Sequence, residues 1–353
     1  MPGDEYRRIL VRATNWVGDA VMSVPALQAL RQRYPAAHIS ILARPWVAGL
    51  YGRESFCDEL IPYEAPRGWR GIREKRQIAS SFRGRFDCAI LLQNAFEAAA
   101  LVRWAGIPTR IGYARDGRSW LLTHPIPAPA AGEIGRHQRF NYLELLKRAK
   151  LIGEYATDAP IRLHGAAAAA AMGRSRLEEI FGPGRVIGVS PGAAYGGAKR
   201  WLAERFADAA VQVARERDAV VAVFGSDVES NICEAVRERV EAAGVTCVSL
   251  AGATALAAFI EMAAACELFL TNDSGPMHIA SALGVPTVAI FGATDEHATG
   301  PTGEQSRVVR EPVECSPCLL RECPIDHRCM TRVSAERVAQ TALDLVGITR
   351  DSR

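Results

Sequence analysis

The chain has 353 residues, 49% hydrophobic and 23% charged, which fits a soluble globular protein with ample core and, by length, two domains. Its 42 basic and 39 acidic residues leave a net charge of +3, too even a balance to argue for nucleic acid as a partner. No apolar stretch reaches membrane-crossing length and the start, Met1 to Arg8, is polar, so a cytoplasmic protein with reduced thiols is expected.

Arg8 to Val11 is an apolar strand that opens into Arg12-Ala13-Thr14-Asn15-Trp16-Val17-Gly18-Asp19, before a helix with Val21, Val24, Leu27 and Leu30 on one face. Asp19 falls at or just inside that helix N-terminus, where a carboxylate either complements the dipole or faces a ligand. Strands at His38 to Leu42 and Cys88 to Leu92, with a helix over Arg73 to Phe82 between them, continue a β-α-β order. A short strand within Ile107 to Tyr113 leads to a loop carrying Arg115, Arg118, Arg136, His137 and Arg139. Guanidinium groups grip carboxylate and phosphate bidentately, so this reads as a mobile loop for a polyanionic acceptor, with a merely solvated surface as the alternative.

Tyr155 to Leu163 contains prolines and lacks strong periodicity, and Gly165 to Ile180 is an alanine-rich helix. The expected division is 1–165, a linker at 166–184, a second domain at 185–333 with a cysteine-rich segment, and a separate C-terminal helix and tail at 334–353. In the second domain the strand Val186 to Val189 runs into Ser190-Pro191-Gly192-Ala193-Ala194-Tyr195-Gly196-Gly197-Ala198-Lys199-Arg200-Trp201. Lys199 can meet a diphosphate as a point charge, with backbone at Ala193 and Ala194 beside it; the Walker spacing is lacking. Val220 to Phe224 ends in Gly225-Ser226-Asp227-Val228-Glu229, where Asp227 first and Glu229 second could accept from ribose hydroxyls.

The segment Leu270-Thr271-Asn272-Asp273-Ser274-Gly275-Pro276-Met277-His278 breaks an apolar run at a tight turn and resumes as a helix. The amides of Ser274, Gly275 and Met277 with the helix dipole behind them suit phosphate; Pro276 contributes no N–H. Capping by Asp273 or Ser274 is the plainer reading of that turn. Val288, Ile290 and Phe291 then read as the final strand, ended by Gly292-Ala293-Thr294, and Ser334 to Val346 as a terminal helix. Five cysteines are scattered, whereas Cys315, Cys318, Cys323 and Cys329 lie close together with His327 among them. Four such thiols fit a structural zinc site, with an iron–sulfur cluster, reduced cysteines or a loop disulfide as alternatives.

Asn15-Trp16-Val17-Gly18-Asp19, the glycine-rich stretch from Pro191 to Trp201, and Thr271-Asn272-Asp273-Ser274-Gly275 with Met277-His278 together resemble the signatures of bacterial ADP-heptose:lipopolysaccharide heptosyltransferases, glycosyltransferase family 9. The likeness covers nearly the whole chain and is best with the branch that adds heptose to heptose. It implies a GT-B architecture, two Rossmann-like domains facing a central cleft, and inverting transfer of L-glycero-D-manno-heptose from ADP-heptose to the lipopolysaccharide inner core without an essential metal.

By the same resemblance, Asp19 matches the general base, Lys199 the diphosphate-contacting lysine, and Ser274, Gly275 and Met277 the phosphate-binding amides. Asp273 and His278 match positions lining that pocket, and Ala193, Ala194 and Asp227 complete the donor set. Asn15, Trp16, Arg115, Arg118 and Arg136 are the acceptor-side candidates. A lipid-linked acceptor implies peripheral contact with the cytoplasmic face of the inner membrane. The alternatives are a same-fold transferase with another donor or acceptor and, from another class, a nonenzymatic module binding anionic ligands.

Overall fold

The protein's structure is a computed structural model in which residues 6–66 and 71–348 are described; residues 1–5 of the polar start and the tail at 349–353 lie outside them. The chain divides into two compact units, Met1–Ala159 and Pro160–Arg353.

The first unit alternates strand and helix: β1 (Arg8–Arg12), α1 (Val17–Arg33), β2 (His38–Ala43), α2 (Pro45–Tyr51), β3 (Glu59–Pro62), α3 (Ile72–Ser81), β4 (Cys88–Leu91), α4 (Phe96–Trp104), β5 (Thr109–Tyr113), β6 (His124–Ile126) and α5 (Arg139–Arg148). The sheet order is β3-β2-β1-β4-β5-β6, and every pairing is parallel. Helices cover both faces of such a sheet, so β1 and β4 read as short, almost continuous apolar runs. The strand order reverses between β1 and β4, which opens a crevice at their carboxyl ends. The loop from Ala13 to Trp16, with the first turn of α1 that carries Asp19, and the loop from Leu92 to Ala95 flank that point.

The second unit contains α6 (Ala166–Phe181), β7 (Arg185–Ser190), α7 (Ala203–Arg217), β8 (Ala219–Val223), α8 (Ser230–Ala242), β9 (Cys247–Ser249), α9 (Leu256–Ala265), β10 (Leu268–Asn272), α10 (Gly275–Ala282), β11 (Thr287–Phe291), α11 (Glu296–Thr299), β12 (Ser306–Arg310), α12 (Arg328–Thr331) and α13 (Ala335–Ile348). Its parallel sheet runs β12-β11-β10-β7-β8-β9, with the reversal between β7 and β10. The glycine-rich loop after β7 and the tight turn after β10 therefore lie side by side for topological reasons.

Four expectations are corrected. β11 is not the last strand: β12 pairs along its whole length, although its mixed Ser-Arg-Val-Val-Arg sequence carries little apolar signal. The helix placed in a linker, α6, packs on α9 so closely that a Cβ at Gly173 would overlap the Glu261 carbonyl, and it belongs to the second unit. The terminal helix is likewise not an appendage, since Val338, Ala339, Ala342, Leu345 and Val346 of α13 share one apolar core with α7 and the sheet. The arginine-rich loop of the first unit holds β6 and a 3-10 turn at Ser119–Leu121, and Arg118 is fully buried.

Candidate active site

The first unit's site is built on the carboxyl edge of β1. Arg12, 2% exposed, ends that strand; its guanidinium donates to the carbonyls of Ala13 and Leu42 and to Asn15 Oδ1 at 3.0 Å, and lies 4.7 Å from the Tyr63 ring centre. Burial pulls its pKa down to about 10, so it stays charged at neutral pH. It thereby fixes the turn that presents Trp16 and Asp19, and Trp46 Nε1 donates to the Asn15 carbonyl from outside. Asp19 sits in the first turn of α1, partly exposed, and accepts from the Tyr142 hydroxyl at 3.2 Å.

Burial, and then the Asp19 charge, raise the Tyr142 pKa well above the usual phenol value, so that hydroxyl remains a donor. A polar cavity of about 80 Å³ adjoins it, with Asn94, Tyr113, Arg115, Gln138, Asn141 and Tyr142 among its walls. Amide, hydroxyl and guanidinium groups of this kind suit a ligand rich in hydroxyls or phosphate.

Of the acceptor-side candidates, the structure gathers Asn15 and Trp16 at the turn that leads to Asp19 and puts Arg115 on the cavity wall. Arg136 is exposed outside it. Arg118 has a different role: its guanidinium donates to the Tyr113, Gln93 and Ala95 carbonyls and to Asn94 Oδ1, with burial lowering its pKa to about 10. It is a strut behind the cavity and is not available to a ligand. Tyr142, Gln138, Asn141 and Asn94 were not legible as site residues, because they come from distant helix and loop positions with no motif around them.

In the second unit, the donor candidates converge where the strand order reverses. Lys199 donates to Asp273 Oδ2 at 2.6 Å, with side chains 12% and 3% exposed, and Thr294 Oγ1 donates to the same oxygen at 2.5 Å. Tyr195 stands 4.9 Å beneath the ammonium. Asp273 is thus the anchor of Lys199 rather than a direct phosphate contact, since a buried carboxylate would repel an anion. Asn272 ties the two loops together: its Oδ1 accepts from Trp201 N at 3.0 Å and its Nδ2 donates to the Pro191 carbonyl at 2.7 Å.

Ser274 is the N-cap of α10, with Thr271 Oγ1 and Ser274 Oγ 3.2 Å apart. The first-turn amides of a helix have no partner within it, so Gly275 and Met277 offer donors here while Pro276 has none to lose. Met277 places its side chain in a small core with Ala289 and Phe291, leaving only its backbone for a ligand, and His278 is buried in the same helix. Ala193 is buried and Ala194 exposed on the neighbouring loop. Asp227 is exposed at a short 3-10 turn whose capping box is closed by Ser226 and Glu229. The Glu229 carboxylate accepts from Ser226 N and Oγ and leaves no room for a Cβ at Gly192. Glu229 therefore shapes the loop, and Asp227 is the carboxylate of the two that faces solvent.

The four clustered cysteines lie beside this edge. Burial first, and then the charges of Cys315, Cys318 and Cys323, raise the pKa of Cys329. Charge coupling acts over several ångströms, whereas ligation requires sulfurs within about 2.3 Å of one ion. Among the described residues no group of three or more His, Cys, Asp or Glu has the arrangement needed to hold a metal.

Two doubly wound parallel units, each with its polar groups at the point of strand reversal, are the architecture of a GT-B glycosyltransferase. The profile of glycosyltransferase family 9 (heptosyltransferase) matches residues 76–328, and the chain belongs to that family. Lipopolysaccharide heptosyltransferase 2 of Salmonella typhimurium is 33% identical over 86% of this chain and 88% of its own length. The protein of the same name from Escherichia coli is 33% identical over equal shares. The solved structure of E. coli ADP-heptose lps heptosyltransferase II is similar at a TM-score of 0.81 and 28% identity, covering 97% of this chain and 99% of that one.

Proposed function

We propose that this glycosyltransferase moves L-glycero-D-manno-heptose from ADP-heptose to the heptose/Kdo inner core of lipopolysaccharide, with inversion. The observation that carries the reading is the Lys199–Asp273–Thr294 chain beside the N-terminus of α10, a fixed cation next to helix amides where a departing diphosphate would gather charge. The relatives named above carry heptosyltransferase names, which supports the same donor and acceptor.

The acceptor hydroxyl must lose a proton as the anomeric bond breaks, and Asp19, kept in place by Tyr142, takes it. Lys199 and the amides of Ser274, Gly275 and Met277 stabilise the negative charge on ADP, while Asp227 accepts from the ribose. One displacement by one hydroxyl inverts the anomeric centre. The acceptor lies over the polar cavity beside Tyr142, which takes only part of a sugar, with Arg115 toward the acceptor's anionic groups.

Purified protein incubated with ADP-heptose and truncated core acceptors should yield a product one heptose heavier by mass spectrometry. Transfer should persist in chelator, because the leaving charge is met by protein groups. A product with another sugar, or none with any heptose acceptor, would refute the assignment.

A structural zinc held by Cys315, Cys318, Cys323 and Cys329 is proposed on the closeness of these four thiols in the sequence; about one zinc per chain by elemental analysis checks it, and zinc-free, fully active protein overturns it. Among the described residues no helix is long and apolar enough to cross a membrane. A cytoplasmic protein that touches the bilayer peripherally is the matching proposal. Trp16, Trp46, Phe96 and Trp120 are exposed and follow the carboxyl ends of β1, β2, β4 and β5, so they share one sheet edge, as interfacial aromatics require. Vesicle cosedimentation that is lost in Trp120→Ala and Trp46→Ala would support this contact.

A further inference from the structure

Residues 315–329, the cysteine-bearing segment, run as a strap across the donor-side loops, and their contacts fall on both flanks of the Lys199–Asp273 pair. On one flank Ser316 Oγ donates to the Gly292 carbonyl at 2.6 Å and Leu319 N donates to the Ala293 carbonyl at 2.8 Å, directly before Thr294. On the other flank Tyr195 donates its hydroxyl proton to the Leu319 carbonyl at 2.8 Å, and Ala198 N donates to the Arg321 carbonyl at 2.9 Å. Gly197 N donates to Glu322 Oε1 at 2.9 Å, and His327 Nε2 lies 3.0 Å from the Ala198 carbonyl. A carbonyl can only accept, so that ring nitrogen carries the proton.

Three further features show that this contact shapes the loop. A Cβ at Gly196 would overlap the Arg321 backbone and one at Gly197 the Glu322 carboxylate, so the two glycines are where the strap comes closest. Leu319 and His327 both hold left-handed backbone, at φ 58 and 54, a conformation that histidine visits more readily but that is unfavourable for leucine. They are also two of the residues that bond to the loop, which places the strain at the contact. Finally, Glu322 is an exposed carboxylate beside a loop assigned to a diphosphate; it has nothing to offer an anion, and its acceptor is spent on a backbone N–H.

We propose that this strap sets the geometry of the phosphate-side loop, with Glu322 and His327 as positioning residues that fix Gly197 to Lys199 and so aim the Lys199 ammonium at the leaving diphosphate. The proposal rests on the donor reading of Lys199 given above. It assigns the segment a part in the transferase that is separate from whatever its thiols bind.

The test uses the full chain and compares Glu322→Ala with Glu322→Gln, and His327→Ala with His327→Gln. Glutamine retains an oxygen acceptor at 322 and an N–H donor at 327. Each alanine variant should raise the KM for ADP-heptose and weaken ADP binding in calorimetry by about 5- to 10-fold, while the KM for the acceptor stays within about twofold. Each glutamine variant should recover most of the loss, and amides of residues 195–200 should exchange faster with solvent only in the alanine variants.

Unchanged loop exchange together with unchanged donor KM in Glu322→Ala overturns the proposal, as does an equal rise in both KM values, the mark of a merely structural role. If wild-type protein itself binds no ADP, the donor reading fails, and the exchange arm still decides whether the strap holds the loop. Should an alanine variant not fold, Tyr195→Phe removes one hydroxyl from the same contact; faster loop exchange there supports the proposal and unchanged exchange overturns it.

Discussion

Lys199 and Asp273 show how a single pair can serve both stability and binding. With only 3% of the Asp273 side chain exposed, its charge is compensated by Lys199 and one hydroxyl, so Lys199→Met leaves a buried carboxylate without its cation. That change should cost about 3 kcal/mol in denaturant unfolding, and ADP affinity should fall at least tenfold; a stable variant with intact ADP binding would sink both roles. Restoring neutrality with Asp273→Asn in the same chain should recover stability but not affinity, a non-additivity expected of residues in contact. Asp19→Asn keeps the shape and the Tyr142 contact while removing the base, so kcat should drop roughly 10²- to 10⁴-fold with ADP binding unaltered. Full turnover in that variant would transfer the base role elsewhere. The motif residues Asp19, Lys199 and Asp273 were legible in the sequence, but Asp273 as an anchor was not, because nothing local tells a carboxylate that binds a ligand from one that holds a lysine 74 residues away.

Helix α6 illustrates what periodicity conveys and what it omits. An alanine-rich run predicts a helix correctly, and its small side chains are the reason α6 and α9 approach to backbone contact, yet composition alone made it a linker. At Gly173 there is no space for a methyl group, because the Glu261 carbonyl occupies it. Gly173→Ala gains about 1 kcal/mol of helix propensity, but forcing the helices apart should outweigh this by roughly 1–3 kcal/mol. A melting temperature that falls by several degrees is the expected result, and a rise would show that the two helices are less tightly apposed. The short strands β3, β6, β9 and β12 escaped the sequence reading for a related reason: edge and near-edge strands are half-exposed, so their apolar pattern is weak. Central strands β10 and β11, buried along their length, were plain.

At the scale of the whole molecule, ionic contacts of the first unit set its response to acid. Burial raises the pKa of Asp58, Glu97 and Glu144, but hydrogen bonds from Ile39 N and Arg31, from Lys75 and Tyr63, and from Arg148 and Tyr155 more than offset it; Glu59 is lowered chiefly by Ser40. Each carboxyl is therefore more acidic folded than unfolded. Their stabilisation is complete above the unfolded values near 4 and is lost as pH falls through the lower folded ones. Acid titration should accordingly show the first unit's near-ultraviolet signal weakening below about pH 4, and a signal insensitive to pH down to 2 would contradict these contacts. The sequence by itself determined the alternation of strand and helix, the glycine turns and the charged residues beside them, since these follow from local backbone preference and the burial of apolar runs. Only the tertiary structure decided that α6 and α13 join the second unit, that Arg118 is a strut, and that a cysteine-bearing strap grips the lysine loop. Each of those depends on which strands become neighbours, and parallel pairing joins segments too distant in the chain for any local pattern to record.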